Sequence, residues 1–147
     1  MGVEIERKFL VREALLPVLS PGDELVQGYL STDPTVRVRL VSRPDGSRHG
    51  ELTIKGRGLL TRAEFNYPVP PADAVALLAL CRTSLRKQRR RLGPWDLDHF
   101  PDRGLWLAEI ELASEGEEFT RPPWLGEEVT EDPQYSNSRL ASARPPE

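Results

Sequence analysis

The feature that most constrains this chain is a charged alternation that begins at its N-terminus and recurs along most of its length. In residues 3–10, an extended backbone places Glu4, Glu6 and Lys8 on one face and mainly apolar side chains on the other. Residues 35–40 repeat the pattern, with Arg37 and Arg39 opposite three aliphatic side chains. Alternation with a period of two is typical of β-strands. The chain is therefore predicted to form a sheet with one charged face and one apolar face.

Eight segments are predicted as strands from this alternation and from the turn residues between them. They are residues 3–10, 24–31, 35–40, 51–55, 61–69, 84–92, 95–100 and 105–112. Three helices are also predicted: residues 12–19, bent at Pro17; a helix opened by Pro70 and Pro71 and running to Leu80; and residues 135–143, which pack through Leu140. Residues 144–147 are expected to fray. The predicted class is α+β, with an antiparallel sheet and a few helices.

Length and charge limit the classes of protein that need to be considered. At 147 residues, the chain fits a single domain spanning 1–147. Its net charge of −3 argues against a nucleic-acid partner. It has no apolar stretch long enough for a membrane span or a secretory signal, and its one cysteine excludes an internal disulfide. We expect a cytoplasmic protein without a membrane partner.

The charged faces can be arranged in two ways, and the alternation alone leaves both open. If they point outward, the chain is a β-sandwich with an apolar core and salt-bridged surface pairs. If they point inward, eight antiparallel strands close into a barrel with a charged interior and helices packed outside. Burying so many charges without water or a ligand would be very costly. The inward arrangement therefore implies a wet tunnel that binds a charged ligand.

The two signs of charge on these faces suit two different ligands. Carboxylates from separate strands suit a hard divalent cation such as Mg²⁺ or Mn²⁺. Rows of lysine and arginine suit the oxygens of phosphate groups. Together they indicate a site for a metal ion and a polyphosphate. The acids on these faces are Glu4, Glu6, Glu64, Asp96, Asp98, Glu109 and Glu111, and the bases are Lys8, Arg37, Arg39, Lys55, Arg62, Lys87, Arg89 and Arg91.

An ordered set of short motifs along nearly the whole chain resembles a known family. The motifs are Glu4-Ile5-Glu6-Arg7-Lys8, Gln27-Gly28-Tyr29-Leu30, Val36-Arg37-Val38-Arg39, Thr53-Ile54-Lys55, Arg62-Ala63-Glu64, Lys87-Gln88-Arg89, Trp95-Asp96-Leu97-Asp98, Ala108-Glu109-Ile110-Glu111, Glu128-Val129-Thr130 and Tyr135-Ser136-Asn137. The set resembles the CYTH domain of the triphosphate tunnel metalloenzymes. The resemblance implies an eight-stranded antiparallel tunnel that binds a triphosphate with a divalent metal and cleaves or transfers a phosphoryl or nucleotidyl group.

The resemblance also assigns roles to individual residues. It implies that the metal ligands are Glu4, Glu6, Glu109 and Glu111, with Glu64 as an additional candidate. It implies that the phosphates are bound by Lys8, Arg37, Arg39, Lys55, Arg62, Lys87 and Arg89. Asn66 is a departure, because many relatives have a second acid two residues after Glu64. The absence of that acid weakens the expectation of a second metal site on this strand.

Tyr29 and Lys87 are the candidate catalytic residues. Nearby cations would favour the phenolate of Tyr29, which could then accept a proton. The alternative is a neutral phenol hydrogen-bonded to a phosphate or carboxylate. Proton acceptance predicts activity that rises toward alkaline pH. Other polar and aromatic residues are predicted to be structural: His99 faces outward, Cys81 packs in the core, and Trp95, Trp106 and Trp124 pack outside the barrel under helices.

Four functions remain open, and hydrolysis of inorganic triphosphate is favoured. The short chain shows no additional segment dedicated to binding a nucleobase or a thiazole ring. Thiamine triphosphatase and class IV adenylate cyclase are the alternatives within the family. A polyphosphate- or nucleotide-binding module without catalysis is the alternative of another class, although pure anion binding needs no cage of four carboxylates. A homodimer formed through an exposed barrel face is compatible with the pattern.

Overall fold

The computed structural model describes residues 2–143 and consists mainly of antiparallel strands. The strands are β1 (Val3–Val11), β2 (Asp23–Thr32), β3 (Thr35–Ser42), β4 (Arg48–Lys55), β5 (Thr61–Val69), β6 (Thr83–Leu92), β7 (Trp95–Phe100), β8 (Leu105–Glu111) and β9 (Leu125–Glu128). The helices are α1 (Pro71–Leu78) and α2 (Asn137–Ser142), and short 3₁₀ turns form at Glu13–Leu15 and Pro133–Tyr135. All eight strands predicted from the alternation are present.

Eight of the strands close into a barrel. Their spatial order is β5-β4-β3-β2-β6-β7-β8-β1, and β1 also pairs with β5 to close the ring. This closure is made by three residue pairs, which run from Val3 with Ala63 to Ile5 with Thr61. β9 is a ninth strand, paired with the far half of β1. The prediction of a closed antiparallel barrel is confirmed, and β9 is an addition that the alternation did not predict.

The apolar faces of the strands point out of the barrel and are covered by other parts of the chain. α1 packs on β3, where Val38 and Ala74 are completely buried. On the opposite side, Phe9, Trp95 and Trp124 form a cluster whose aromatic rings meet edge to face at centroid distances of 5.6 Å. Since the strands close into a ring with the charged faces lining its interior, the alternative of a sandwich with outward-facing charges is wrong.

One end of the barrel is closed by apolar side chains. Leu85, Phe100 and Leu107 point inward at this end and pack with Val129 and with Leu140 of α2. Leu140 is only 8% exposed. Removal of its apolar surface from water stabilises the packing of the C-terminal segment against the barrel. The prediction that the last helix packs through Leu140 is confirmed. The charged part of the interior lies beyond this apolar layer.

Two local predictions are wrong. Residues 12–19 do not form a helix beyond the 3₁₀ turn Glu13–Leu15, because Leu16 before Pro17 is extended, with φ −67° and ψ 141°. Trp95 and Trp124 are not covered by helices; they pack with Phe119 from the irregular segment between β8 and β9. His99 does face outward, as predicted, and stacks on Trp106 at a centroid distance of 4.4 Å. The expectation for residues 144–147 lies outside the described residues.

None of the helices that the structure describes is long and apolar enough to cross a membrane.

Candidate functional site

The inward faces of the strands line a cavity of about 200 Å³ inside the barrel. Every residue to which the resemblance assigned a role, and Tyr29, lines this cavity, whereas Asp98 and Arg91 from the charged faces do not. Its wall contains seven acids and seven bases, and Tyr29 is its one aromatic residue in the described part of the chain. The acids are Glu4, Glu6, Glu51, Glu64, Asp96, Glu109 and Glu111, and the bases are Lys8, Arg37, Arg39, Lys55, Arg62, Lys87 and Arg89.

Glu4 is held by cations from two neighbouring strands. Its Oε1 accepts hydrogen bonds from Lys55 Nζ at 2.9 Å and from Arg62 Nε at 3.1 Å. Lys55 Nζ also lies 3.3 Å from Oε2 of Glu64. Burial works to raise the pKa of Glu4, but a hydrogen bond with Glu64 and the charges of Lys55 and Arg62 lower it to about 2. Glu4 is therefore ionised and already paired with cations.

Glu109 lies in a similar setting on β8. Its carboxylate oxygens are 3.6 Å from Lys8 Nζ and 3.6 Å from Arg89 Nη2. Burial alone would raise its pKa, but Lys8, Lys87 and Arg89 lower it to about 2. Two of the predicted metal ligands thus point into the cavity but are occupied by basic partners.

Glu6 and Glu111 have no such partners. They lie directly opposite each other on β1 and β8 and both line the cavity. Neither carboxylate makes an ion pair or hydrogen bond with any residue from 2 to 143. Burial, together with the nearby charges of Glu109 and Glu4, raises the pKa of Glu6 to about 8. Two carboxyl groups that face each other without a counter-ion are a suitable donor pair for a hard cation.

Among the described residues, no group of three or more histidine, cysteine, aspartate or glutamate side chains is assembled to hold a metal ion. Mg²⁺ is commonly bound by only one or two carboxylates together with substrate phosphates and water. The pair Glu6 and Glu111 fits that requirement without further protein ligands.

An ion cluster around the completely buried Asp98 lies where β6 pairs with β7, next to β8 in the barrel wall. Asp98 accepts two hydrogen bonds from Arg89, at 2.7 and 2.9 Å, and its Oδ2 lies 2.7 Å from Lys87 Nζ. Burial lowers the pKa of Lys87 to about 7, although the charge of Asp98 acts in the opposite direction. Lys87 Nζ also donates a hydrogen bond to Asn137 at 2.8 Å. The cluster connects the barrel wall to the helix that closes its end.

Arg37 and Arg39 point inward from β3, and neutral residues orient them. Arg37 donates to Thr53 Oγ1 at 2.8 Å, and Arg39 donates to Gln27 Oε1 at 2.9 Å. Burial, with Arg37 and Arg89 close by, lowers the pKa of Arg39 to about 9, so it stays charged at neutral pH. A buried pair of guanidinium groups of this kind is chemically suited to a polyvalent anion.

A family model described as the CYTH domain matches residues 2–142, with the charged barrel inside the matched range. The chain belongs to this family.

Curated relatives share most of the length of this CYTH domain. An inorganic triphosphatase from Acetivibrio thermocellus is 38% identical over 151 residues, which is 95% of this chain and 94% of that protein. An inorganic triphosphatase from Nitrosomonas europaea is 35% identical over 157 residues, covering 97% of this chain and 99% of that protein.

Solved structures agree with the barrel described above. A crystal structure of an inorganic triphosphatase superposes with a TM-score of 0.62 at 31% identity, covering 99% of both chains. A protein from Pyrococcus horikoshii OT3 gives a TM-score of 0.54 at 17% identity over 77% of this chain, and this similarity supports the fold alone.

The prediction of an easily formed phenolate at Tyr29 is wrong for this CYTH domain. Burial raises the pKa of Tyr29, and this outweighs the lowering by Arg37 and Arg39. Its hydroxyl oxygen accepts a hydrogen bond from Gln27 Nε2 at 3.0 Å. The neutral phenol of the alternative agrees with this pKa, but in the described structure its hydrogen-bond partner is the amide of Gln27 and not a carboxylate.

Several residues that position the site were given no role from the sequence, although three of them, Gln27, Thr53 and Asn137, lie in the motifs that resemble the family. Gln27, Thr53 and Asn137 orient basic side chains, and Glu51 lies beside the two arginines of β3. Each of them occupies an inward position on a strand or begins α2. That position was the feature of the sequence that could have indicated their role in the site. Asn66, the departure from the family pattern, accepts a hydrogen bond from Thr53 and so supports Arg37 indirectly.

Proposed function

We propose that this CYTH domain hydrolyses inorganic triphosphate to pyrophosphate and phosphate, with a divalent cation bound in the tunnel. The observation that carries the proposal is the cavity itself: seven cationic side chains converge on about 200 Å³ of space. Apart from Tyr29, the described wall offers no aromatic surface for an adenine or thiazole ring. A phosphate chain with no ring attached, accompanied by a cation, is the ligand that this lining fits, and the curated relatives named inorganic triphosphatases support the same substrate.

The cation would be held by Glu6 and Glu111, with Glu4, Glu64 and Glu109 nearby as further acidic residues. Oxygen ligands favour Mg²⁺ or Mn²⁺ over softer metals. When bound, such an ion neutralises phosphate oxygens and activates water for attack. The cavity wall has equal numbers of acids and bases, so it has little net attraction for a bare polyanion. A cation that accompanies the substrate would supply the missing positive charge.

The basic residues of the wall would bind and orient the phosphate chain. Arg37 and Arg39 approach it from β3, Lys55 and Arg62 from β4 and β5, and Lys8 from β1. Hydrolysis of a phosphoanhydride depends mainly on positioning and charge neutralisation, because little covalent chemistry is required of the protein. Water attacks the terminal phosphorus while pyrophosphate remains held by the arginines.

Lys87 would accept the proton from the attacking water. It lines the cavity, and its lowered pKa of about 7 makes the neutral amine available near neutral pH. Asn137 and Asp98 hold the amine in place by accepting its hydrogen bonds. Tyr29, as a neutral phenol, would hydrogen-bond to the substrate instead of accepting a proton.

The pH dependence of turnover tests the role of Lys87. Since Lys87 accepts a proton only when neutral, kcat should rise as pH increases through about 7 and level off near pH 8 to 9. Lys87→Arg keeps the charge but cannot lose its proton in this range. We expect it to lower kcat by about 100-fold and to abolish the rise, in line with the usual contribution of a general base.

Lys55→Arg is the matched control for this experiment. It makes the same change at another lysine of the wall. Its kcat should still rise with pH as in the unaltered protein, including any part of the rise that comes from ionisation of the substrate. An unchanged pH profile in Lys87→Arg would contradict the role of Lys87 as proton acceptor.

A comparison of substrates tests the proposed activity. Initial rates should be highest on tripolyphosphate and lower on ATP and thiamine triphosphate, because only the phosphate chain is recognised. Formation of cyclic AMP and pyrophosphate from ATP would instead assign the protein to the cyclases, and a preference for thiamine triphosphate would overturn the proposed substrate. Binding of all three without turnover would indicate a polyphosphate-binding module.

A further inference from the structure

Glu51 is an exception in the charge distribution of the tunnel. The other cavity-lining acids project from β1, β5, β7 and β8. On the adjacent strands β2, β3 and β4, Glu51 is the one acid among the described lining residues; the others are Tyr29, Thr35, Arg37, Arg39 and Lys55. Its side chain is 19% exposed and lies directly opposite Arg39 in the pairing of β3 with β4. A lone carboxylate in a basic wall calls for an explanation.

The contacts of Glu51 show what it does in the free protein. Its Oε2 lies 3.6 Å from Arg37 Nη2 and 3.9 Å from Arg39 Nη1, while its Oε1 lies 3.2 Å from His49 Nε2. Within residues 2–143, it is the one carboxylate within ion-pair distance of either arginine. It therefore acts as their counter-ion when no substrate is bound.

The two guanidinium groups remain available to a ligand. The ion-pair distances to Glu51 are longer than those of a strong charge-assisted hydrogen bond. In the described structure, Nε of Arg37 is buried and has no hydrogen-bond partner. A phosphate oxygen that reaches these groups would improve on the contacts they make with Glu51. It would also lie within a few ångströms of the carboxylate, where repulsion between like charges exceeds thermal energy even at an effective dielectric constant of about 20.

We propose that Glu51 is a specificity-determining residue that competes with the phosphate chain for Arg37 and Arg39 and so limits the affinity of the tunnel for anions that carry no cation. This inference rests on the proposed function only for the identity of the anion. Its consequence is discrimination: a phosphate chain with its bound cation is accepted, while a free polyanion, including the product pyrophosphate, is held weakly. Weak retention of pyrophosphate favours its release after each turnover.

Calorimetric titration with tripolyphosphate in EDTA tests the proposal without requiring catalysis. Glu51→Gln keeps the shape and removes the charge, and it should lower the Kd by about tenfold, equivalent to about 1.4 kcal/mol. Pyrophosphate should show the same direction of change. Glu51→Asp keeps the charge and should stay close to the unaltered protein. In steady state with Mg²⁺, the same substitution to glutamine should lower KM by less than it lowers the Kd in EDTA, because the cation already offsets the repulsion from Glu51.

Glu24→Gln is the matched control, because Glu24 is exposed on the outer face of β2 and accepts a hydrogen bond from Gln88. It changes the net charge equally and should alter the Kd by less than about twofold, since exposed charges are well screened. A tightening of equal size in Glu24→Gln would overturn the proposal in favour of a general charge effect.

Unchanged binding by Glu51→Gln would also overturn the proposal, since it would mean that Glu51 does not compete with the anion. Weaker binding would overturn it too, since it would mean that Glu51 orients the arginines. Glu51→Ala provides a second neutral variant, and thermal unfolding of each variant identifies one that is misfolded. If the unaltered protein neither binds nor hydrolyses tripolyphosphate, the proposed function fails and this inference fails with it. If the unaltered protein hydrolyses it and the neutral variants do not bind it more tightly, this inference alone fails.

Discussion

Replacing Asp98 with asparagine is expected to lower the free energy of unfolding by about 3–5 kcal/mol, the cost of breaking a buried ion pair by removing one partner. Asp98 is completely buried and is bonded to both Arg89 and Lys87. Without its charge, the completely buried Lys87 and the partly exposed Arg89 lose the anion that compensates them. Urea denaturation followed by circular dichroism measures the effect.

Asp96→Asn is the matched control for this substitution. Asp96 lies two residues earlier on the same face of β7, but it is 28% exposed, and its contacts with Arg89 and Arg91 are 3.7 and 3.2 Å. Its loss should cost less than about 1 kcal/mol, as for other exposed ion pairs. The double substitution Asp98→Asn/Lys87→Met should recover part of the loss, because it removes one of the uncompensated cations. Equal destabilisation by Asp96→Asn and Asp98→Asn would contradict this account of the cluster.

Replacing both Glu6 and Glu111 with glutamine is expected to lower hydrolysis of tripolyphosphate by about 1000-fold or more, the scale of loss when electrostatic stabilisation is removed from an active site. Among the predicted metal ligands, these two carboxylates have no basic partner in the described structure, so they are the ones available to a cation. The unaltered protein should show a higher unfolding temperature with Mg²⁺ than with EDTA. The double variant should lose this increase.

The stability of the double variant in EDTA separates loss of the cation site from misfolding. Glu6 and Glu111 lie directly opposite each other without a counter-ion, and the raised pKa of Glu6 means that its ionised form is disfavoured there. Neutralising Glu6 and Glu111 should therefore leave the unfolding temperature in EDTA unchanged or higher. Glu127→Gln/Glu131→Gln, at two exposed positions outside the cavity, is the control and should keep both activity and the response to Mg²⁺. If Mg²⁺ still raised the unfolding temperature of the variant without the Glu6 and Glu111 charges by the full amount, the cation would have to bind elsewhere.

The barrel could be predicted from the sequence because the strands alternate strictly with a period of two. That alternation determines which residues share a face, so the predicted metal ligands, the predicted phosphate-binding residues and Tyr29 all line the cavity. It says nothing about segments that lack it. β9 is four residues long and carries no clear alternation, and it was missed. The helix predicted for residues 12–19 failed because Pro17 restricts the residue before it more strongly than the apolar spacing favours a helix.

The pairings inside the tunnel could not be predicted from the sequence, because they depend on how the strands are ordered and tilted in the barrel. Glu4 and Glu6 are equivalent in the sequence pattern, yet Glu4 is neutralised by Lys55 and Arg62 while Glu6 has no basic partner in the described structure. The pKa of Tyr29 went the opposite way from the prediction because the effect of burial exceeds that of the nearby arginines. Asp98 appeared as one acid among seven, and its complete burial emerges only from the packing.

The most direct test of the central claim is phosphate release from tripolyphosphate by the unaltered protein, measured in Mg²⁺, in Mn²⁺ and in EDTA. The account predicts release that depends on the cation and is at background level in EDTA, with pyrophosphate as the second product. Equal release in EDTA would contradict a role for the cation. Tight binding of tripolyphosphate without release under any of these conditions would contradict hydrolysis and leave the tunnel as a polyphosphate-binding site.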